Sequence, residues 1–279
     1  LPVLEAVETA AVVTSAVAGV EALTQRMMDF ARDRGLCRVV VINKIDAREA
    51  DVEATLEEVR EQFGRECLPV NLPAAGGTRV IDCFFHNDGE ATDFSSVKQA
   101  HTEIIDQVVE VDEELMALYL EQGEELAPAQ LHDPFEKALR EGHLVPVCFV
   151  SAETGAGIPE LLEIMARLMP NPAEGNPPPF MKGTGDAAER ATVIPDPGRH
   201  AIAHVFKVIM DPFVGKLGLF RVHQGTIRGG AQLLVGAFDS GQSTAIAQVA
   251  EQRGIPFVIN IAAAPPITEQ GYKFVFRNF

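Results

Sequence analysis

Over the first 170 positions, short unbroken apolar runs alternate with stretches in which apolar residues recur every three or four places. Thr9 to Ala18 is small and β-branched, which predicts a strand. Glu21 to Arg34, with Leu23, Met27, Met28 and Phe30 among charges, predicts a helix. Cys37 to Ile42 (CRVVVI) is a valine-rich run of the kind found in a parallel strand covered on both faces. A helical stretch, Ala50 to Phe63, and another apolar run, Cys67 to Leu72, follow. This alternation predicts a doubly wound α/β sheet.

The order then changes. Thr78 to Phe85 reads as a strand, while Ser96 to Leu120 and Asp133 to Glu141 read as acidic amphipathic helices, so an α+β insertion is predicted over about 73–143. Leu144 to Val150 (LVPVCFV) resumes the buried-strand pattern, and a helix over Ile158 to Leu168 closes the α/β unit near Met169. Pro170, Pro172, Pro177, Pro178 and Pro179 then deny the backbone its N–H donors, which predicts a linker over 170–198. His200 to Met210 and Leu217 to Val222 are strand-like around Asp211–Gly215, with a turn at Gly229-Gly230, and predict the opening of a β domain over 199–230. From about 231 the pattern changes again without a linker. Leu233–Phe238 as strand, Gly241–Arg253 as helix, a stop at Gly254-Ile255-Pro256 and Phe257–Ile261 as strand predict a βαβ unit over 231–279.

Composition narrows the class of protein. The formal charge of −17 over 279 residues disfavours a protein that coats nucleic acid or anionic membrane, because both attract positive surfaces. Cys37, Cys67, Cys83 and Cys148 stand apart with no CxxC pair, which suggests neither a zinc site nor a disulfide framework and fits a reduced, cytoplasmic setting. The apolar run Ala10 to Val20 is shorter than the roughly 20 residues that span a bilayer, and no basic segment precedes it. Opening on Leu1 and closing on Phe279 just after a strand-like run, the chain is expected to be cut at both ends from something longer.

Candidate chemistry centres on Asn43-Lys44-Ile45-Asp46, at the end of the most clearly predicted strand, where open α/β sheets hold their ligands. A carboxylate in such a loop can accept hydrogen bonds from N1–H and the exocyclic amine of guanine, a donor pair that adenine does not present in that arrangement. Asp46 is then the specificity residue, Asn43 can bridge toward the purine and brace neighbouring loops, and the aliphatic stem of Lys44 lies across the base. Ser151 and Ala152, ending the next parallel-type strand, supply a second loop whose Ala152 N–H can meet the guanine O6. The plainer alternative is a helix-capping Asn or Asp after a buried strand.

Six stretches carry a family likeness: AVAGVEALTQ (Ala16–Gln25), VVVINKID (Val39–Asp46), DEELMALYL (Asp112–Leu120), VCFVSA (Val147–Ala152), LMPNP (Leu168–Pro172) and FKVIMDPFVGKLGLFRVHQGTI (Phe206–Ile227). Through them Leu1 to about Gly230 resembles bacterial elongation factor G, and more closely the elongation-factor-G-like translational GTPases. The resemblance implies an incomplete P-loop-type GTPase sheet over 1–169, an extra subdomain in the insertion and the start of a β-barrel second domain. It also implies GTP or GDP with Mg²⁺ as cofactors in the parent family, and the ribosome as partner.

That family hydrolyses GTP with a GxxxxGK[ST] loop, whose N–H groups cradle phosphates and whose hydroxyl holds magnesium. No such loop occurs in this sequence. Gly215-Lys216 imitates it, but Met210 and Leu217 stand where Gly and Ser or Thr are needed. The family's DxPGH motif is likewise absent; Asp196-Pro197-Gly198-Arg199-His200 is one residue short of it and follows the linker. Phosphoryl transfer is largely positioning and charge neutralisation around the phosphates, so no catalytic residue and no hydrolysis by this chain are expected.

From about Leu233 onward the sequence resembles instead the substrate-binding proteins of branched-chain amino-acid ABC transporters, with Ser240 and Ser243 of Asp239–Ser243 as candidate ligand contacts or, equally, as a helix cap. A join of two coding fragments is the expected origin of that change. Two other function classes stay open: a solute-binding protein, and a non-catalytic guanine-nucleotide-binding scaffold. His200, His204 and His223 read as scattered surface or packed histidines, and Glu110 to Glu125 as a solvated helical face.

Overall fold

The computed structural model describes residues 2–122, 128–176, 180–182, 189–213, 215–230, 234–235, 240–255, 257–259, 270–272 and 275–277. Two compact units are formed, one from Val3–Asn176 and the other from Pro177–Phe279.

In the first unit, β1 (Thr9–Ser15), α1 (Ala22–Asp33), β2 (Cys37–Asn43), α2 (Val52–Phe63) and β3 (Cys67–Pro69) follow the alternating pattern. The insertion supplies β4 (Asn71–Ala74), β5 (Arg79–Asp82), α3 (Val97–Val109), α4 (Glu113–Gln122) and α5 (Pro128–Glu141). The unit returns to the sheet in β6 (Val145–Phe149) and α6 (Ile158–Arg167). The main sheet has the order β1-β2-β6-β3 and is parallel throughout. Its central strand β2 explains its own sequence, because side chains alternate between two apolar layers. Val39 and Val41 face Ile104, Val108, Phe135 and Ile164. Val40 and Ile42 join Met28, Leu56 and Val59 on the other side.

Helix starts are fixed by short acceptors in the expected way. Asp51 accepts from the Ala54 amide at 3.0 Å and Ser96 from the Gln99 amide at 3.2 Å. Asp112 accepts from the amides of Glu114 and Leu115 at 3.1 and 2.9 Å, and this cap divides the predicted Ser96–Leu120 helix into α3 and α4. The division lets α4 fold back, so that Leu115 is buried and the Tyr119 hydroxyl donates to Asp106 at 2.9 Å.

The predicted Cys67–Leu72 run is likewise two strands in two sheets. β3 pairs with β6, while β4 pairs antiparallel with β5. Between them the Val70 amide donates to the Val147 carbonyl at 3.0 Å, and the chain turns out of the main sheet. The compact unit also runs past Met169. Asn171 to Asn176 forms a turn in which Glu174 and Gly175 amides donate to the Asn171 carbonyl, and the Asn176 side-chain amide reaches the carbonyls of Gly35 and Arg140 at 2.8 and 3.0 Å.

In the second unit a short antiparallel pair, β7 (Met181–Lys182) and β8 (Glu189–Arg190), precedes the hairpin of β9 (Ile202–Asp211) and β10 (Gly215–Gln224). β11 (Leu234–Val235), α7 (Ser240–Arg253), β12 (Phe257–Ile259) and β13 (Val275–Arg277) then build a parallel sheet of order β11-β12-β13, one strand more than the βαβ pattern predicts. Asp239, and the remainder of the predicted Leu233–Phe238 and Phe257–Ile261 strands, lie outside the described residues.

His204 and His223 are not scattered. A register shift between Val222 and Gln224 leaves His223 outside the strand pairing. Its Nε2 lies 2.7 Å from His204 Nδ1, with the two rings stacked at 4.9 Å.

Candidate functional site

Parallel pairing of β2 with β6 carries Asn43 and Ser151 to the same edge of the sheet, beyond the carboxyl ends of the strands. The link between the two loops is the Asn43 side chain. Its Oδ1 accepts from the Lys44 amide at 2.8 Å and from the Ala152 amide at 3.0 Å. The backbone adds a bond from the Val150 amide to the Ile42 carbonyl at 2.9 Å.

Lys44 has φ 64°, a left-handed conformation that costs a residue with a Cβ about 1–3 kcal/mol. The Asn43 bond and an Ala47 amide donating to the Lys44 carbonyl at 3.1 Å hold it there. Ile45, only 3% exposed, pins the loop into the apolar layer of β2. The loop thus leaves Lys44 exposed and Asp46 half-buried on either side of a core residue, and Asp46 forms no hydrogen bond or ion pair to another described residue.

The second loop is shaped by Ser151, which is fully buried. Its Oγ accepts from the Thr154 amide at 3.1 Å, its own amide donates to Ala156 at 2.8 Å, and its carbonyl accepts from Gly155 at 2.9 Å. Ser151 therefore sets the loop's shape, while Ala152 is the residue that lies at the surface. The Ala152 N–H expected for a base oxygen is directed to Asn43.

Two supports were not legible as site residues. Buried Asn71 imitates a strand partner for the end of β6: its Nδ2 donates to the Phe149 carbonyl at 3.1 Å, and its Oδ1 accepts from the Phe149 amide at 2.7 Å. Gly157, at φ 76°, packs so closely that a Cβ there would sit 2.3 Å from the Phe149 carbonyl oxygen. The glycine was visible in the sequence, but the close approach was not.

The imitation motifs serve other ends. Asp196 accepts from the Gly198 amide at 2.8 Å and pairs with Arg199 in a surface turn of the second unit. Gly215 opens β10 at φ 85°.

Comparison with known proteins identifies the first unit. The elongation factor Tu GTP binding domain family matches residues 2–171. This chain belongs to that family. The Elongation factor G-like protein of Mycobacterium tuberculosis is 32% identical over 237 residues, covering 81% of this chain and 33% of that protein. Elongation factor G of Fervidobacterium nodosum is 29% identical over 249 residues, covering 83% of this chain and 36% of that one. A crystal structure from Thermus thermophilus superposes with a TM-score of 0.61 at 33% identity, over 82% of this chain and 34% of that one. The chain is homologous to the elongation-factor-G-like members of the GTP-binding family, and spans about a third of the length of these relatives. No described helix is long and apolar enough to cross a membrane.

Proposed function

We propose that the chain carries the base-recognition portion of a ribosome-dependent, cytoplasmic translational GTPase, with Asn43, Lys44, Asp46, Ser151 and Ala152 at the guanine. The observation that carries this reading is the Asn43 carboxamide, which ties the Lys44 and Ala152 amides together beside an Asp46 carboxylate that has no partner among the described residues. In this reading Asp46 accepts the N1–H and exocyclic amine of guanine, and the Lys44 stem covers one face of the ring. The guanine O6 shares the Ala152 N–H with Asn43. The surroundings fit the base: acceptor, apolar stem and backbone donor converge on one sheet edge.

They do not fit the rest of the nucleotide. The sequence as given has no GxxxxGK[ST] loop, the element whose amides cradle phosphates and whose hydroxyl holds magnesium. No step is therefore assigned to magnesium, and this stretch of chain is expected to give no single-turnover GTP hydrolysis. The reading is tested by titrating the full chain with fluorescent GDP and XDP. Asp46→Asn should weaken GDP and strengthen XDP, because the substituted amide offers a donor where xanthine has a carbonyl. Absence of GDP binding at millimolar nucleotide, or an unchanged preference in the variant, sinks it.

A second reading applies to the C-terminal segment alone: a joined fragment of a branched-chain amino-acid binding protein, the side chains of its candidate contacts Ser240 and Ser243 lying outside the described part of the structure. It is favoured by the parallel order β11-β12-β13, since continuation of the β9–β10 barrel pattern calls for antiparallel strands. Calorimetry with leucine tests it, and no heat of binding refutes it.

A further inference from the structure

The β4–β5 hairpin belongs to the insertion, yet its turn reaches the loop that presents Asp46. Ala75, Gly76 and Gly77 all have positive φ, at 55°, 68° and 73°. Such a turn is permissive and would lose much conformational freedom on ordering. The Thr78 hydroxyl donates to the Ala75 carbonyl at 2.9 Å, and a side chain from outside the hairpin holds the two glycines. The Gly76 amide donates to Asp93 Oδ1 and the Gly77 amide to Asp93 Oδ2, both at 2.9 Å, while the Asp93 amide donates to the Pro73 carbonyl at 2.8 Å. Two successive N–H groups converging on a carboxylate make charge-assisted bonds with fixed direction.

The turn held in this way abuts the recognition loop. A Cβ on Gly77 would lie 2.1 Å from the Ile45 carbonyl oxygen, 2.6 Å from its carbon and 3.1 Å from the Asp46 amide nitrogen. The same hairpin reaches the second loop, where a Cβ on Gly157 would lie 3.2 Å from Val80 Cγ1. Asn71 ties its first strand to Phe149, and Phe94, next to Asp93, packs edge-on against the Phe149 ring at 5.6 Å. The hairpin is therefore a brace under both base-contacting loops, and Asp93 is its latch.

We infer that Asp93 is a positioning residue for base recognition, its carboxylate locking Gly76 and Gly77 against the Ile45 carbonyl so that the insertion sets the stiffness of the loop carrying Asp46. This rests on the guanine reading of Asn43–Asp46. Asp93 touches no base, and its effect passes through Gly77.

The test is amide hydrogen exchange on the full chain, combined with fluorescent-GDP titration. Asp93→Ala should raise exchange roughly tenfold in Asn43–Ala47 and at Gly76-Gly77, leaving Val39–Ile42 at the wild-type rate. It should weaken GDP several-fold without altering the GDP-over-XDP preference. Gly77→Ala, which drives a methyl into the Ile45 carbonyl from the same side, should reproduce the local change. Asp93→Glu, keeping the carboxylate, should restore part of the protection. Unchanged exchange at Asn43–Ala47, or a uniform rise through β2 and α2, overturns the inference. If the wild-type chain binds no GDP the guanine reading fails, and the exchange pattern alone still decides whether Asp93 governs the loop.

Discussion

Asn43 and Ala152, 109 positions apart, are joined by a 3.0 Å hydrogen bond from the Ala152 amide to Asn43 Oδ1. Asn43→Ala deletes the acceptor for both Ala152 and Lys44 and frees Lys44 from its left-handed turn. Each bond contributes about 1 kcal/mol, so guanine-nucleotide affinity is expected to fall roughly 10- to 100-fold. Titration with fluorescent GDP beside thermal melts checks this, because loop uncoupling lowers affinity far more than it lowers the melting temperature.

Gly157→Ala is expected to be more damaging to the fold than its size suggests. The added methyl would meet the Phe149 carbonyl oxygen at 2.3 Å, on backbone that already has φ 76°. Both strain and overlap then fall on the junction of β6 and α6, and a loss of about 2–4 kcal/mol in urea unfolding is expected. A variant within about 0.5 kcal/mol of the parent would mean that this loop yields easily.

All four cysteines are free and buried. Burial pushes the Cys37 thiol up to about 11 and those of Cys67, Cys83 and Cys148 up to about 12. Thiolate is the reactive form, so an aromatic disulfide reagent at pH 8 should find almost none in the native chain. Release of thionitrobenzoate is expected only on unfolding, and then from all four thiols.

His223 makes the hairpin sensitive to acid. Burial first, then the neighbouring His204 and Arg221, lower its pKa from 6.5 to about 4. The unfolded chain takes up this proton near 6.5, so the stability contributed by the neutral ring is complete above that pH. It declines as pH falls from 6.5 towards 4. His223→Gln should flatten that decline. Proton NMR of the imidazole rings provides the direct measure, and a His223 midpoint near 6.5 would refute the assignment.

The parts of this fold that were legible in the sequence are those whose cause is local. Strands β2 and β6 announce themselves because both faces of each are covered, which requires continuous apolar runs. That Asn43 and Ser151-Ala152 lie at one edge was readable because neighbouring strands of a parallel sheet end on the same side. The break at Val70 was not readable, because its cause is the distant Phe149 backbone with which Asn71 pairs. Asp112 carried a capping signal inside a helical rhythm, and the rhythm alone gave one helix in place of two. The contact of His204 with His223 depends on a register shift, which side-chain spacing along the chain does not encode.

Among the described strands the main sheet ends on β1, where Val13 is 59% exposed and the outer backbone edge, beyond a bridge from Ser15 to Gly19, pairs with no described strand. Such an edge offers a ready template to any other copy of itself. Mutual repulsion is what opposes that encounter: the chain carries −17 at pH 7 and reaches neutrality near pH 4.8. Colloidal behaviour is thereby tied to the sheet's open side. Concentrated material should stay clear in neutral, low-salt buffer and cloud on approach to the isoelectric point, as charge ceases to keep valine edges apart.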